Sequence, residues 1–175
     1  MTLSIDIFTE ADIPDLTRLM TRAFDDDARK HLGKKKGGPD GYDNGDFFRK
    51  WLFGRKETDG YKVVADGKAV GGIIVWIFLH GNNILGTIFI DPEYQDRGIG
   101  SASWNFIEER YPQAKSWRLT TPKFAVKNHY FYETKCGFRR VKSDRLIGHP
   151  GDQFIYRKQM RPAAQTRRTG VSSVQ

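Results

Sequence analysis

The chain has a single cysteine among its 175 residues, Cys136, so no disulfide framework can hold it. Nothing in sequence pairs that thiol with a base, and beside an apolar turn it reads as core filler rather than an acyl carrier. Histidine is also scarce. His31, His80, His129 and His149 show no ligand spacing, and no metal is expected. No apolar run approaches the roughly 18 residues of a membrane span, so no membrane partner is expected. The N-terminal stretch MTLSIDIFTE lacks a basic segment leading into an apolar one, and no secretory leader is expected. Together these absences point to a reducing, cytoplasmic setting. No internal repeat is evident.

Acidic residues are the minority, 21 against 29 Lys and Arg, for a net charge of +8. That excess invites a nucleic-acid reading, but its distribution argues otherwise. Arg157, Lys158, Arg161, Arg167 and Arg168 follow the last acidic residue, Asp152, and supply five of the eight charges. Such runs are usually solvated, and no specific nucleic-acid partner is assigned. Residues 161–175 carry no hydrophobic pattern and are expected to form a basic, disordered tail behind one domain over 1–160.

What is present suits a packed domain: 38% hydrophobic and 13% aromatic residues. Ser4 to Phe8 alternates weakly as a strand. Thr9 to Asp12 reads as a helix cap, and Ile13, Leu16, Met20, Ala23 and Phe24 keep helical spacing over about 12–27. From 25 to 46 the texture turns polar and glycine-rich (DDDARKHLGKKKGGPDGYDNGD), which predicts a long mobile loop. Phe47 to Phe53 reads as a short amphipathic helix. Asp66-Gly67 between apolar arms predicts a type I′ hairpin, and Gly71-Gly72 a bulge or close backbone approach. His80 to Asn83 reads as a turn. Ser116 to Thr121 reads as a strand, Phe124 to Lys135 as a helix, and Gly137 to Val141 and Asp152 to Met160 as strands. The sum is an α/β (α+β) layer: a mixed, largely antiparallel sheet of six to seven strands with helices on both faces.

The most informative stretch runs from Leu85 to Tyr111. Leu85, Ile88, Phe89 and Ile90 make a buried strand, and Asp91-Pro92 ends it. Gly98 and Gly100 then open a helix whose apolar positions Ile99, Ala102, Phe106 and Ile107 share a face. A helix's first turn leaves N–H groups unpaired and carries the positive end of the macrodipole. Glycines there let an anion approach the backbone, and Arg97 adds a charge.

Ile90 to Gly100, with its core Gln95-x-x-Gly98-x-Gly100, resembles the acyl-CoA-binding signature of the GNAT N-acetyltransferases. Asn128-His129-Tyr130-Phe131-Tyr132 followed by Cys136-Gly137-Phe138 resembles that family's later helix-to-strand block. The two blocks lie in the family's order within a layout matching residues 3–160. The resemblance implies acetyl-CoA as co-substrate, its pyrophosphate on backbone N–H groups of Asp96, Arg97, Gly98, Ile99, Gly100 and Ser101. It further implies a splayed strand whose Ile88, Phe89 and Ile90 main chain meets the pantetheine, with one N–H polarising the thioester carbonyl. Asn128 would touch the pantetheine arm.

Tyr132, four residues after Asn128 and so on the same helix face, is the candidate general acid for the departing sulfur. The segment from Tyr132 to Gly137 is one residue longer than the family's commonest spacing, which keeps Tyr130 as an alternative. No general base is legible. Asp25, Asp26 and Asp27 could draw in a cationic amine and relay its proton, or simply be a solvated helix end. The activity expected is direct transfer of an acetyl group to a primary amine, of a small molecule in preference to a protein. A protein N-acetyltransferase and a non-catalytic acyl-CoA sensor are the alternatives, and a homodimer is left open.

Overall fold

The computed structural model describes residues 1–148 and 151–161. The expected tail, apart from Arg161, lies outside them, as does His149. The chain order is β1 (Leu3–Ile7), α1 (Ile13–Leu32), α2 (Asp46–Phe48) running into a π-helical turn (Arg49–Phe53), β2 (Thr58–Ala65), β3 (Lys68–Trp76) and β4 (Asn82–Ile90). Then come α3 (Ile99–Arg110), β5 (Ser116–Pro122), α4 (Val126–Tyr130) with a π-helical turn (Phe131–Lys135), β6 (Arg139–Val141) and β7 (Gln153–Gln159). Among the described residues seven strands form one sheet in the order β1-β2-β3-β4-β5-β7-β6, and only β4 and β5 pair in parallel.

The β2–β3 hairpin turns on Asp66 (φ 48°) and Gly67 (φ 78°), the two left-handed residues a type I′ turn needs. Next to it Val63 pairs with Gly71 and Val64 with Ala69, so Val70 is an extra, bulged residue. The bulge thus falls on Val70, just before Gly71-Gly72, and the glycines themselves serve a close approach. A Cβ on Gly71 would lie 2.2 Å from the Phe89 carbonyl oxygen, and one on Gly72 2.7 Å from the Phe89 ring.

A second irregularity decides which β4 side chains face which core. Ile74 pairs with Thr87 but Val75 with Leu85, leaving Gly86 as an inserted residue. The insertion shifts the two-residue alternation, so Leu85 and Ile90 both join the core under α3 with Ile99, Trp104 and Ile107. Phe89 points the other way, into the core under α1 with Leu16, Met20, Phe48 and Leu52. Helices thus cover both faces. On α3 the buried positions are Ile99, Ser103, Trp104 and Ile107, not Ala102, because Trp104 packs edge-on against Trp117.

The region after residue 25 departs most from expectation. The predicted end of the first helix near 27 is corrected to Leu32, and the predicted mobile loop to a segment folded back on the helix. The polar run stays helical because Asp26 pairs with Arg29 (2.9 Å) and Lys30 (2.5 Å) at i+3 and i+4, and Ala28 is buried. Gly33, left-handed at φ 63°, closes the helix. Beyond it, buried Tyr42 donates its hydroxyl to Asp25 Oδ1 (2.6 Å), which also accepts Gly37 N–H (3.2 Å). Burial and that carboxylate push the Tyr42 phenol up to about 12.

Candidate active site

Strands β4 and β5 pair only through Asn82, Ile84 and their neighbours, opposite Ser116 to Arg118. Past that point they diverge, and mid-strand Gly86 is left exposed. The parity of the β3–β4 ladder shows what the divergence frees. Asp91 N–H donates to Val70 O (2.8 Å), so the 70/91 and 72/89 pairs exchange backbone hydrogen bonds. Ile88 and Ile90, at alternate positions, turn their N–H and C=O toward the open side. The Phe89 backbone is committed to Gly72. Of the three residues expected to meet a pantetheine with their main chain, two face the fork.

The fork opens into a cleft of about 400 Å³, a size that suits a small-molecule site. Its floor is Ile88, Phe89 and Ile90, and its far end is Gln95, Asp96, Gly98, Gly100 and Ser101. Asp91 prepares that end: its carboxylate accepts Glu93 N–H (3.0 Å) and meets Arg22 (3.2 Å), starting a single 3-10 turn over Pro92–Tyr94. Gln95 then donates its side-chain amide to Ile90 O (3.0 Å), tying the loop to the strand. Asp96 (φ 59°) and Gly98 (φ 78°) are left-handed, and the Gly98 position has no atom within 4 Å of a would-be Cβ. At Gly100 a Cβ would meet the Phe131 ring at 3.1 Å. The side chains of Arg97 and Ile99 stay outside. Arg97 stacks over Tyr94 (5.3 Å), and Ile99 is core, leaving only its backbone for the cradle.

Helix α4 supplies the third wall. Asn128 and Tyr132 both line the cleft, as their i, i+4 spacing requires. The residue that lengthens the following segment is absorbed by the π-helical turn, where Cys136 N–H reaches back five residues to Phe131 O (3.1 Å). Tyr132 is 7% exposed, and among the described residues its hydroxyl has no hydrogen-bond partner. Burial, then Cys136 and Asp27, hold its phenol well above the ordinary tyrosine range. Tyr130 also borders the cleft but is 58% exposed. Cys136 is sealed in the core, its thiol pushed up to about 12 by burial. His129 turns away, bonding Pro122 O (2.9 Å) and packing on Phe154.

Helix α1 closes the cleft from the opposite face with Ala23, Phe24 and Asp27. Of the three aspartates, only Asp27 reaches it: Asp25 is held by Tyr42, and Asp26 by Arg29 and Lys30. Sequence reasoning missed Lys127 and Lys135, which bring positive charge to the rim. Lys127 donates to Gln95 Oε1 and Asp96 Oδ2, both at 3.0 Å. Adjacency to Asn128 was the available signal for Lys127, but its reach across to the glycine turn depends on how α4 packs. The arrangement offers donors and cations for a phosphorylated ligand, an open strand edge for an amide-bearing arm, and a buried phenol beside the edge.

Comparison with known proteins agrees with this geometry. Residues 16–138 match the family model described as the acetyltransferase (GNAT) family. The chain is 33% identical over 139 residues to the uncharacterized protein YrkN of Bacillus subtilis (strain 168), covering 79% of this chain and 74% of that protein. Among solved structures, an acetyltransferase from Thermus thermophilus superposes with TM-score 0.73 at 15% identity, covering 91% of this chain and 98% of that one. The PaiA N-acetyltransferase of Thermoplasma acidophilum, in complex with coenzyme A, gives TM-score 0.71 at 17% identity, covering 91% of this chain and 100% of that one. The ribosomal-protein-S18-alanine N-acetyltransferase of Escherichia coli gives 0.69 at 16% identity, covering 94% and 98%. These structural likenesses speak to the fold.

Proposed function

The chain belongs to the GNAT acetyltransferase family, and from that premise we propose that it moves an acetyl group from acetyl-CoA to the primary amine of a small molecule by direct attack. The observation that carries the reading is the fork: backbone of Ile88 and the Ile90 N–H, turned away from β3, run from the glycine turn toward Tyr132, which lines the same cleft. Acetyl-CoA supplies an activated thioester. The backbone N–H groups at the start of α3 bind its pyrophosphate, with Lys127 and Lys135 beside them. Asn128 meets the pantetheine arm. An open-edge N–H of Ile88 or Ile90 stabilises the developing oxyanion, a contribution of ~3 kcal/mol in other enzymes.

Tyr132 gives its proton to the departing sulfur. Its phenol holds that proton through the physiological range because ionisation is disfavoured by burial. The preference for a small acceptor rests on the aromatic and acidic side chains of α1, Phe24 and Asp27, that wall the cleft with Tyr132. One domain spanning about 1–160 suffices for all of these parts.

Release of free CoA, followed with alkyl, polyamine, amino-acid, aminoglycoside and peptide N-terminal amines, tests the reading. Turnover of at least one small amine is expected. Turnover of peptides alone would make the protein a peptide acetyltransferase. Tight acetyl-CoA binding with no turnover on any amine would leave only a sensor.

A further inference from the structure

Three consecutive aspartates on α1 point in three directions, because successive helical residues are about 100° apart. Two are spoken for. Asp25 accepts from the Tyr42 hydroxyl and Gly37 N–H, and Asp26, 7% exposed, is ion-paired with Arg29 and Lys30. Asp27 has neither an ion pair nor a hydrogen bond among the described residues, is partly buried, and lines the cleft. It approaches from the α1 face of the sheet while Tyr132 approaches from the α4 face. Both line the same cleft beside the gap between β4 and β5, and the Asp27 charge adds to the raising of the Tyr132 phenol.

Resting on the acetyltransferase reading above, we propose that Asp27 receives the acceptor's ammonium group and takes its first proton, so that the acceptors are amines that arrive as cations. The charges facing Asp27 are Asp26, Lys30 and His31 on its own helix and Lys127 and Tyr132 from the opposite wall. Burial outweighs the cations and leaves the carboxyl above its ordinary range, a stronger base than a surface aspartate. The protons balance. Asp27 takes one from the ammonium and passes it to solvent. The nitrogen lone pair bonds to the acetyl carbon, the carbon–sulfur bond breaks, and Tyr132 protonates the sulfur. The second nitrogen proton restores the Tyr132 phenol, and one proton is released per turnover.

Asp27→Asn tests this, with one panel amine that the wild type turns over and, as an uncharged nucleophile, hydroxylamine. Loss of kcat/KM by about 100-fold or more for the cationic amine is expected, with little change for hydroxylamine and no change in acetyl-CoA affinity. The acid limb of the wild-type profile, above the usual carboxylate range, should vanish in the variant. Removing a charge that burial disfavours should hold or raise the melting temperature at pH 7, which separates this loss from unfolding. Equal losses for both nucleophiles, or an unchanged acid limb, would overturn the role of Asp27 while leaving the acetyltransferase reading intact. A wild type that binds acetyl-CoA and turns over nothing would overturn both.

Discussion

The two ends of the cleft are built on different principles. The end that would hold phosphate is made of backbone: the turn from Asp91 to Ser101, with left-handed Asp96 and Gly98 and the first amides of α3. The bonds that shape the turn are near in sequence, as when Gln95 bonds Ile90 O and Asp91 accepts Glu93 N–H, with Arg22 and Lys127 reaching it from α1 and α4. The proposed acceptor end is made of side chains from distant elements, Phe24 and Asp27 on α1 and Tyr132 in the π-helical turn after α4. A main-chain site depends on φ, ψ and the absence of Cβ atoms, so it constrains a short motif. A side-chain wall depends on which face of a helix turns inward, so it leaves no local signature.

That contrast can be broken or sharpened by substitution. The largest effect is expected from Tyr132→Phe at the acceptor end. Turnover should fall by ~10²–10⁴-fold with acetyl-CoA affinity preserved; an unchanged kcat would remove the phenol from the chemistry. Gly98→Val should do the reverse. A β-branched residue at φ 78° costs ~1–3 kcal/mol in strain and distorts the cradle, so calorimetry should show acetyl-CoA binding weakened roughly 10-fold or more. Full affinity in that variant would mean that the glycine turn is not the anion site.

Smaller effects test the scaffold that joins the two ends. Gly72→Ala places a methyl 2.7 Å from the Phe89 ring and 2.9 Å from Leu16, and overpacking of this kind costs ~1–3 kcal/mol in denaturant unfolding. Stability equal to wild type would show that α1 can shift away from β3. The smallest effect is electrostatic. Burial opposes the Asp26 charge, but Lys30 and Arg29 outweigh it and hold the carboxyl below its ordinary range. Its stabilising contribution is present above the unfolded value of about 3.9 and is lost as pH falls through the lower, folded one. Asp26→Asn should therefore lower the melting temperature at pH 7 and lose that difference in acid, the opposite of Asp27→Asn. A pH-independent difference would assign the loss to packing.

Much of the phosphate end was legible in the sequence because each of its features is local. The exit at Asp91-Pro92 and the glycine pair at 98 and 100 sit where expected, as does the Asp66-Gly67 turn of the β2–β3 hairpin. The additional residue before Gly137 was legible only as an anomaly. The π-helical turn explains how it fits without displacing Tyr132 from Asn128. The stretch from 25 to 46 misled because polarity and glycine content describe average exposure. They do not reveal that Asp26 would find Arg29 and Lys30 along the helix, or that Tyr42 would return to Asp25.

The sequence by itself determined most of the strands, the glycine turn before α3 and, through two short motifs, the family, since those follow from periodicity, turn chemistry and local pattern. Tertiary structure alone decided three further things: that β4 parts from β5 beyond Ile84, that Gly86 reverses the alternation of β4, and that one aspartate of three shares a cleft with Tyr132. Each of these depends on register and rotation between elements far apart in the chain, which packing of the two cores fixes and local composition does not encode.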